Sequence, residues 1–214
     1  FEALLNADEV PHETRYQAAL ERAQIEVDSK NYVKARGWLL LASEKLKSKD
    51  QLFGPKNSYV LPLMKAVAKI GYAEKNYKDA VDALLSGLSY ANKPDTEGTQ
   101  MVFELWNAAM KDQQWEQARH ILNRMKAYDL PAADYYPALA DLEAKAQNWK
   151  AAADAVVRAE NLTLNETQKK TLADALAKIP ADVMAKARTD FAATKTTPAP
   201  APAPSSGVGG FWWF

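Results

Sequence analysis

The sequence predicts an all-α protein: an array of antiparallel helical hairpins followed by a disordered C-terminal tail. Three observations predict it. From about Glu13 to Thr194, apolar residues recur at intervals of three and four among strong helix formers. Breakers fall between pairs of such runs, FGPKNS at 53–58, NKPDTEG at 92–98, DLPA at 129–132 and NLTLNET at 161–167. A short segment also recurs four times, as SKNYVKA, EKNYKDA, DQQWEQA and AQNWKAA. No alternating strand pattern competes with these signals.

Residues 1–12 contain FEALL and are expected to form a short helix docked on the first hairpin. Residues 13–160 divide into four hairpins, each centred on one copy of the recurring segment. Its aromatic residues are Tyr32, Tyr77, Trp115 and Trp149, spaced 45, 38 and 34 residues apart. Each is followed three positions later by an alanine: Ala35, Ala80, Ala118 and Ala152. An aromatic ring at the start of the second helix covers the open end of a hairpin. A small residue one turn later lets the two backbones approach. Nine positions before the aromatic stand Ala23, Ala68, Trp106 and Ala140, three of them small, as a close crossing requires. Seven after it come the apolar Leu39, Leu84, Leu122 and Val156, and ten after it Ala42, Gly87, Met125 and Ala159.

Residues 161–194 are expected to cap the array, because a terminal unit must present a polar outer face. Thr163 and Glu166 have capping-box spacing and are expected to open a helix over 165–178. Pro180 suits the first turn of a last helix reaching Ala193. Apart from Lys195, residues 195–210 are threonine, proline, alanine, serine, valine and glycine, a composition expected to act as a mobile tether. The sequence closes on Phe211, Trp212, Trp213 and Phe214. A water-exposed aromatic cluster marks an interaction site. Three uses compete for it: a partner's groove, the groove of this chain or a neighbouring copy, and a membrane interface.

The pattern resembles the tetratricopeptide repeat (TPR) family over roughly Arg15 to Glu160. The features that carry it are the small residue on the first helix, the aromatic at the turn and the alanine after it. Trp106 and Met125 depart from the family's small positions, and its terminal proline is displaced to Pro94 or Pro131. The resemblance implies a right-handed superhelical α-solenoid whose first helices line a concave groove, and adaptor or assembly-factor work. In the family register the groove takes Gln17, Gln24 and Asp28 from the first unit and Lys65, Lys69 and Tyr72 from the second. The third unit supplies Phe103, Asn107, Met110 and Lys111, and the fourth Asp134, Asp141 and Lys145. Some members clamp a peptide carboxylate with lysine and asparagine. Here Phe103 stands one turn before Asn107, where such a clamp wants lysine. Lys65, Lys69 and Lys111 are the residues expected to draw an acidic or C-terminal peptide.

Composition narrows the function classes. The 27 basic and 27 acidic residues balance, so no basic stripe favours nucleic acid. With no cysteine there is no disulfide or thiolate metal site, and no apolar run is long enough to cross a membrane as a helix. His12 and His120 lie far apart, and no phosphate loop, HExxH helix or nucleophile elbow occurs. The expectation is a non-enzymatic scaffold without cofactor or metal, binding a protein or peptide segment in its groove and presenting the tethered aromatic quartet to a partner, in the setting of bacterial envelope assembly. Self-association, with the tail docked on a neighbouring copy, is one alternative, and a small-ligand-binding protein or enzyme is the other. A chain beginning at Phe1 reads as a mature periplasmic or secreted product, with a cytoplasmic location as the alternative.

Overall fold

A computed structural model describes residues 10–47, 59–91 and 94–196. Of the expected N-terminal segment 1–12, residues 1–9 lie outside the described residues, as do the FGPKNS breaker, positions 197–210 of the tether expected over 195–210, and the quartet 211–214. Positions 195 and 196 belong instead to the last helix, which ends at Thr196 and not at Ala193. Among the described residues there are ten α-helices and no strand. They are α1 (His12–Asp28), α2 (Tyr32–Lys47), α3 (Val60–Ala73), α4 (Tyr77–Ser89) and α5 (Thr96–Lys111). After these come α6 (Trp115–Ala127), α7 (Ala132–Lys145), α8 (Trp149–Ala159), α9 (Glu166–Leu176) and α10 (Ala181–Thr196). From α1 to α9 each helix packs on the next in sequence. Contacts such as α1 on α3, α4 on α6, α7 on α9 and α8 on α10 join one pair to the next.

The four recurring segments make the same turn. The residue two before each aromatic (Lys30, Lys75, Gln113 or Gln147) has φ between 57° and 60°. The amide after it donates to the carbonyl five residues back, from Asn31 to Glu26 and from Asn76 to Gly71, both at 2.8 Å. Gln114 to Ala109 at 2.9 Å and Asn148 to Glu143 at 2.8 Å complete the set. These are Schellman closures, which satisfy the last carbonyls of a helix through one left-handed residue. Glycine usually takes that place, but here lysine or glutamine carries the strain. The same Asn or Gln carbonyl then accepts the first bond of the second helix, from the alanine three after the aromatic.

Close backbone approach follows from the small residues. Ala35, Ala80, Ala118 and Ala152 are at most 1% exposed. Opposite Ala80 stands Gly71, where an added Cβ would lie 2.7 Å from the Ala80 Cβ and 3.0 Å from the Asn76 carbonyl oxygen. At Gly87 it would lie 2.7 Å from the Met64 Cβ. Ala23, Ala68 and Ala140 are likewise buried. Trp106, in the corresponding place on α5, is half-buried against the central cluster, with its buried Nε1 lacking a hydrogen-bond partner.

Three apolar clusters run along the array. Tyr16, Ala35, Leu39 and Ile70 belong to the first, Leu84, Leu105, Ile121 and Leu142 to the second, and Val156, Ile179 and Met184 to the third.

Two local expectations are corrected. The capping box before α9 is Asn165 with Gln168, not Thr163 with Glu166. Asn165 accepts from the Gln168 amide at 2.9 Å and Gln168 Oε1 accepts from the Asn165 amide at 2.8 Å. Asparagine caps as well as threonine, so either register satisfies the sequence rule and the start of the helix decides between them. The NKPDTEG breaker also ends early, because Asp95 caps α5 and Thr96, Glu97 and Gly98 form its first turn.

Gly71 and Gly37 make an informative pair. Gly71→Ala is expected to cost roughly 1–3 kcal/mol by forcing α3 and α4 apart. Gly37 lies in α2 with nothing within 4 Å of an added Cβ, so Gly37→Ala is expected to stabilise by about 0.5–1 kcal/mol. Urea denaturation followed by circular dichroism reads both.

Candidate functional site

Lys69 and Tyr72 project from one face of α3, where α5 runs opposite. With Ala68, Glu97, Gln100, Met101, Glu104 and Leu105 they line a cleft of about 370 Å³. Tyr72 is 50% exposed and meets Tyr77 edge-on, with ring centroids 6.0 Å apart. Lys69 donates to Gln24 of α1 at 3.2 Å, and Gln24 donates to Asp28 at 2.8 Å. Lys69, Gln24 and Asp28 are therefore linked across α1 and α3, and Gln17 stands exposed on α1.

Lys65 is committed internally. Its ammonium lies 2.8 Å from Asp95 and 2.7 Å from Glu97, and its side chain is only 15% exposed. Burial works against its charge, but the hydrogen bonds to Asp95 and Glu97 outweigh it and hold the pKa above the ordinary lysine value. Asp95 is held below the usual carboxylate range, first by Lys65 and then by the Gly98 amide it caps. An added Cβ at Gly98 would lie 2.9 Å from that capping oxygen, so glycine there makes room for the lysine-carboxylate cluster. The α3–α5 cleft accordingly carries Lys69 opposite Glu97 and Glu104, a mixed rather than a basic lining.

Phe103 turns to another side of α5. It borders a mainly apolar cleft of about 170 Å³ with Leu85, Leu88, Val102, Met125 and the loop 128–131. Asn107 and Lys111 are exposed on α5, and Met110 is half-buried against the central cluster. In the fourth pair Asp134 accepts from Gln168 of α9 at 2.5 Å, and Asp141 lies between Lys145 at 2.7 Å and Lys178 at 3.6 Å. The structure thus brings Lys69 and Tyr72 together and places Phe103 apart from them. Sequence reasoning missed Gln100 and Glu104, although they flank Phe103 at helical spacing of three and one.

Several ionisable side chains hold turns and helices to one another. Glu26 and Glu143 are 3% and 2% exposed, each six residues before a turn aromatic. Asn31 donates to Glu26 at 2.9 Å and Asn148 to Glu143 at 3.0 Å, so both carboxylates lock the turn beside them. Arg22 completes the first at 2.6 Å, and Arg119 grips the second with two bonds of 2.6 and 2.8 Å. His120 and Arg124 share Asp82 at 2.9 and 2.8 Å, tying α6 to α4. Tyr77 donates to Asp112 at 2.8 Å, and its pKa is pushed up to about 12 by burial and then by that carboxylate. Among the described residues no group of three or more His, Cys, Asp or Glu is placed to hold a metal ion, and no helix is long and apolar enough to cross a membrane.

No family model matches the chain, and no curated protein or solved structure shows significant similarity to it.

Two stability outcomes follow from these pairs. Arg119→Met is expected to cost roughly 3–5 kcal/mol by stranding the buried Glu143, and Arg119→Met with Glu143→Met much less. Asp95 has a depressed folded pKa, so its contribution is present above its unfolded value and lost as pH falls through the folded one. In Lys65→Met, stability at neutral pH is expected to drop by about 1 kcal/mol, with a shallower decline between about pH 5 and pH 2. Urea denaturation across that range checks the sign.

Proposed function

We propose that this chain is a non-enzymatic scaffold of the TPR type, a right-handed α-solenoid that binds a peptide or protein segment along its first helices. Its aromatic quartet 211–214 serves contacts beyond that groove, and the setting is assembly of a bacterial envelope complex, in the periplasm. The observation that carries the reading is the fourfold recurrence of one turn, with its left-handed residue, backbone closure and buried alanine. Identical turns give each pair a similar geometry, and stacking similar pairs lines up their first helices on one side.

The α3–α5 cleft is the best-equipped place on that side. Half-exposed Tyr72 offers a flat ring for a side chain or a peptide plane, as aromatic anchors do in interfaces. Lys69, Gln100 and Glu104 around it offer donors and acceptors of both signs. That lining suits an extended segment held by amide and side-chain hydrogen bonds. Selection by positive charge alone is weakened, since Lys65 is neutralised within the fold.

The test is a pull-down with wild type, Tyr72→Ala and Lys69→Glu. Both variants are expected to lose the bound partner at least about tenfold, the effect of one anchor residue, with their melting unchanged. Undiminished recovery by both would overturn the reading of this cleft.

A further inference from the structure

The apolar cleft beside Phe103 is built from four elements. Its floor is Leu85 and Leu88 of α4, Val102 of α5 and Met125 of α6, each at most 8% exposed. Two exposed aromatics, Phe103 at 38% and Tyr128 at 47%, flank it, and Asp129 stands on the same rim. At about 170 Å³ it has the size of one large aromatic side chain. A thioether and flanking rings favour an aromatic guest, and a rim carboxylate can accept an indole N–H.

We propose that this cleft receives an aromatic ring of the chain's own quartet, Phe211, Trp212, Trp213 and Phe214, folded back within the same molecule. The place where the described chain ends supports this. Thr194 of α10 and Arg158 of α8 border one shared cleft. The Arg158 guanidinium lies 5.9 Å over Tyr136, and Lys126 covers Tyr135 and Tyr136 at 4.3 and 5.3 Å. Tyr135 and Tyr136 stand one turn into α7, just beyond Leu130 and Pro131 of the apolar cleft. The end of α10 and the cleft therefore lie along the same edge of the array, on the order of 20–25 Å apart by helix rise and interhelical spacing. The 14 residues of 197–210 connect them. A coil of that length spans roughly 20 Å on average, and its full polyproline-type extension is about 43 Å. Tethering at that range gives an effective concentration on the order of millimolar, so a single ring of modest affinity suffices to fill the cleft.

Docking here is independent of the α3–α5 cleft, because the two clefts lie on different sides of α5. Neighbouring residues separate them: Thr99 borders the apolar cleft and Gln100 the other. The native chain has no cysteine, so pairs of cysteines can be introduced into the full chain without background. Val208→Cys is combined with Thr99→Cys in one protein and with Gln100→Cys in another, and disulfide formation under mild oxidant is followed on non-reducing gels. The 99–208 pair is expected to close within one chain at least about fivefold faster than 100–208. Replacing the four aromatics by serine is expected to abolish that advantage. Faster closure at Gln100→Cys, or a rate indifferent to the serine replacement, would overturn the docking. Cross-links formed only between chains would overturn it as well, by making a second copy the occupant.

Discussion

The hairpin turn is the constraint on which the rest of this structure depends. One residue with a positive φ reverses the chain, and the following amide closes the preceding helix. The aromatic residue and the alanine after it then start the next helix against the first. The strain of a left-handed lysine or glutamine is of order 1 kcal/mol, and the two backbone bonds and the buried alanine contact offset it. Where the approach is closest even alanine does not fit, which is why Gly71 faces Ala80. The buried glutamates beside the first and fourth turns act on the same geometry, each holding the asparagine that starts the next helix.

Packing alone does not join one pair to the next. The apolar clusters run across the boundaries, and polar contacts at each boundary set the register. Arg36 with Glu74 joins α2 to α3, Lys65 with Asp95 joins α3 to α5, and Arg119 with Glu143 joins α6 to α7. Gln117 adds a different device, donating to the Lys75 carbonyl at 3.0 Å and accepting from the Lys78 amide at 2.9 Å. It reads the neighbouring turn by its backbone. Such a contact forms only when that turn has the right shape, so local and long-range order depend on each other.

Much of the fold was legible in the residues. The spacing of Tyr32, Tyr77, Trp115 and Trp149 located four turns, and the alanines three positions on located the close crossings. The left-handed residues were not legible, because lysine and glutamine carry no conformational signal of the kind glycine does. Pro137 was not either: it lies inside α7, buried, where proline normally ends a helix. The register of the α9 cap was also undecided, since two overlapping polar spacings satisfied the same rule.

The candidate site divides along the same line. By itself the sequence determined which residues lie on the first helices, because helical period and turn position suffice for that; the choice of Lys69 and Tyr72 among them came from the family resemblance. Only the tertiary structure decided which of them act together. Lys65 met Asp95 and Glu97 from a helix some thirty residues away, and Phe103 turned toward α4 and the 128–131 loop. The physical reason is that period describes one helix at a time. Charge pairing and cleft shape depend on the azimuth and offset of a second helix, which are set by side chains at the crossing.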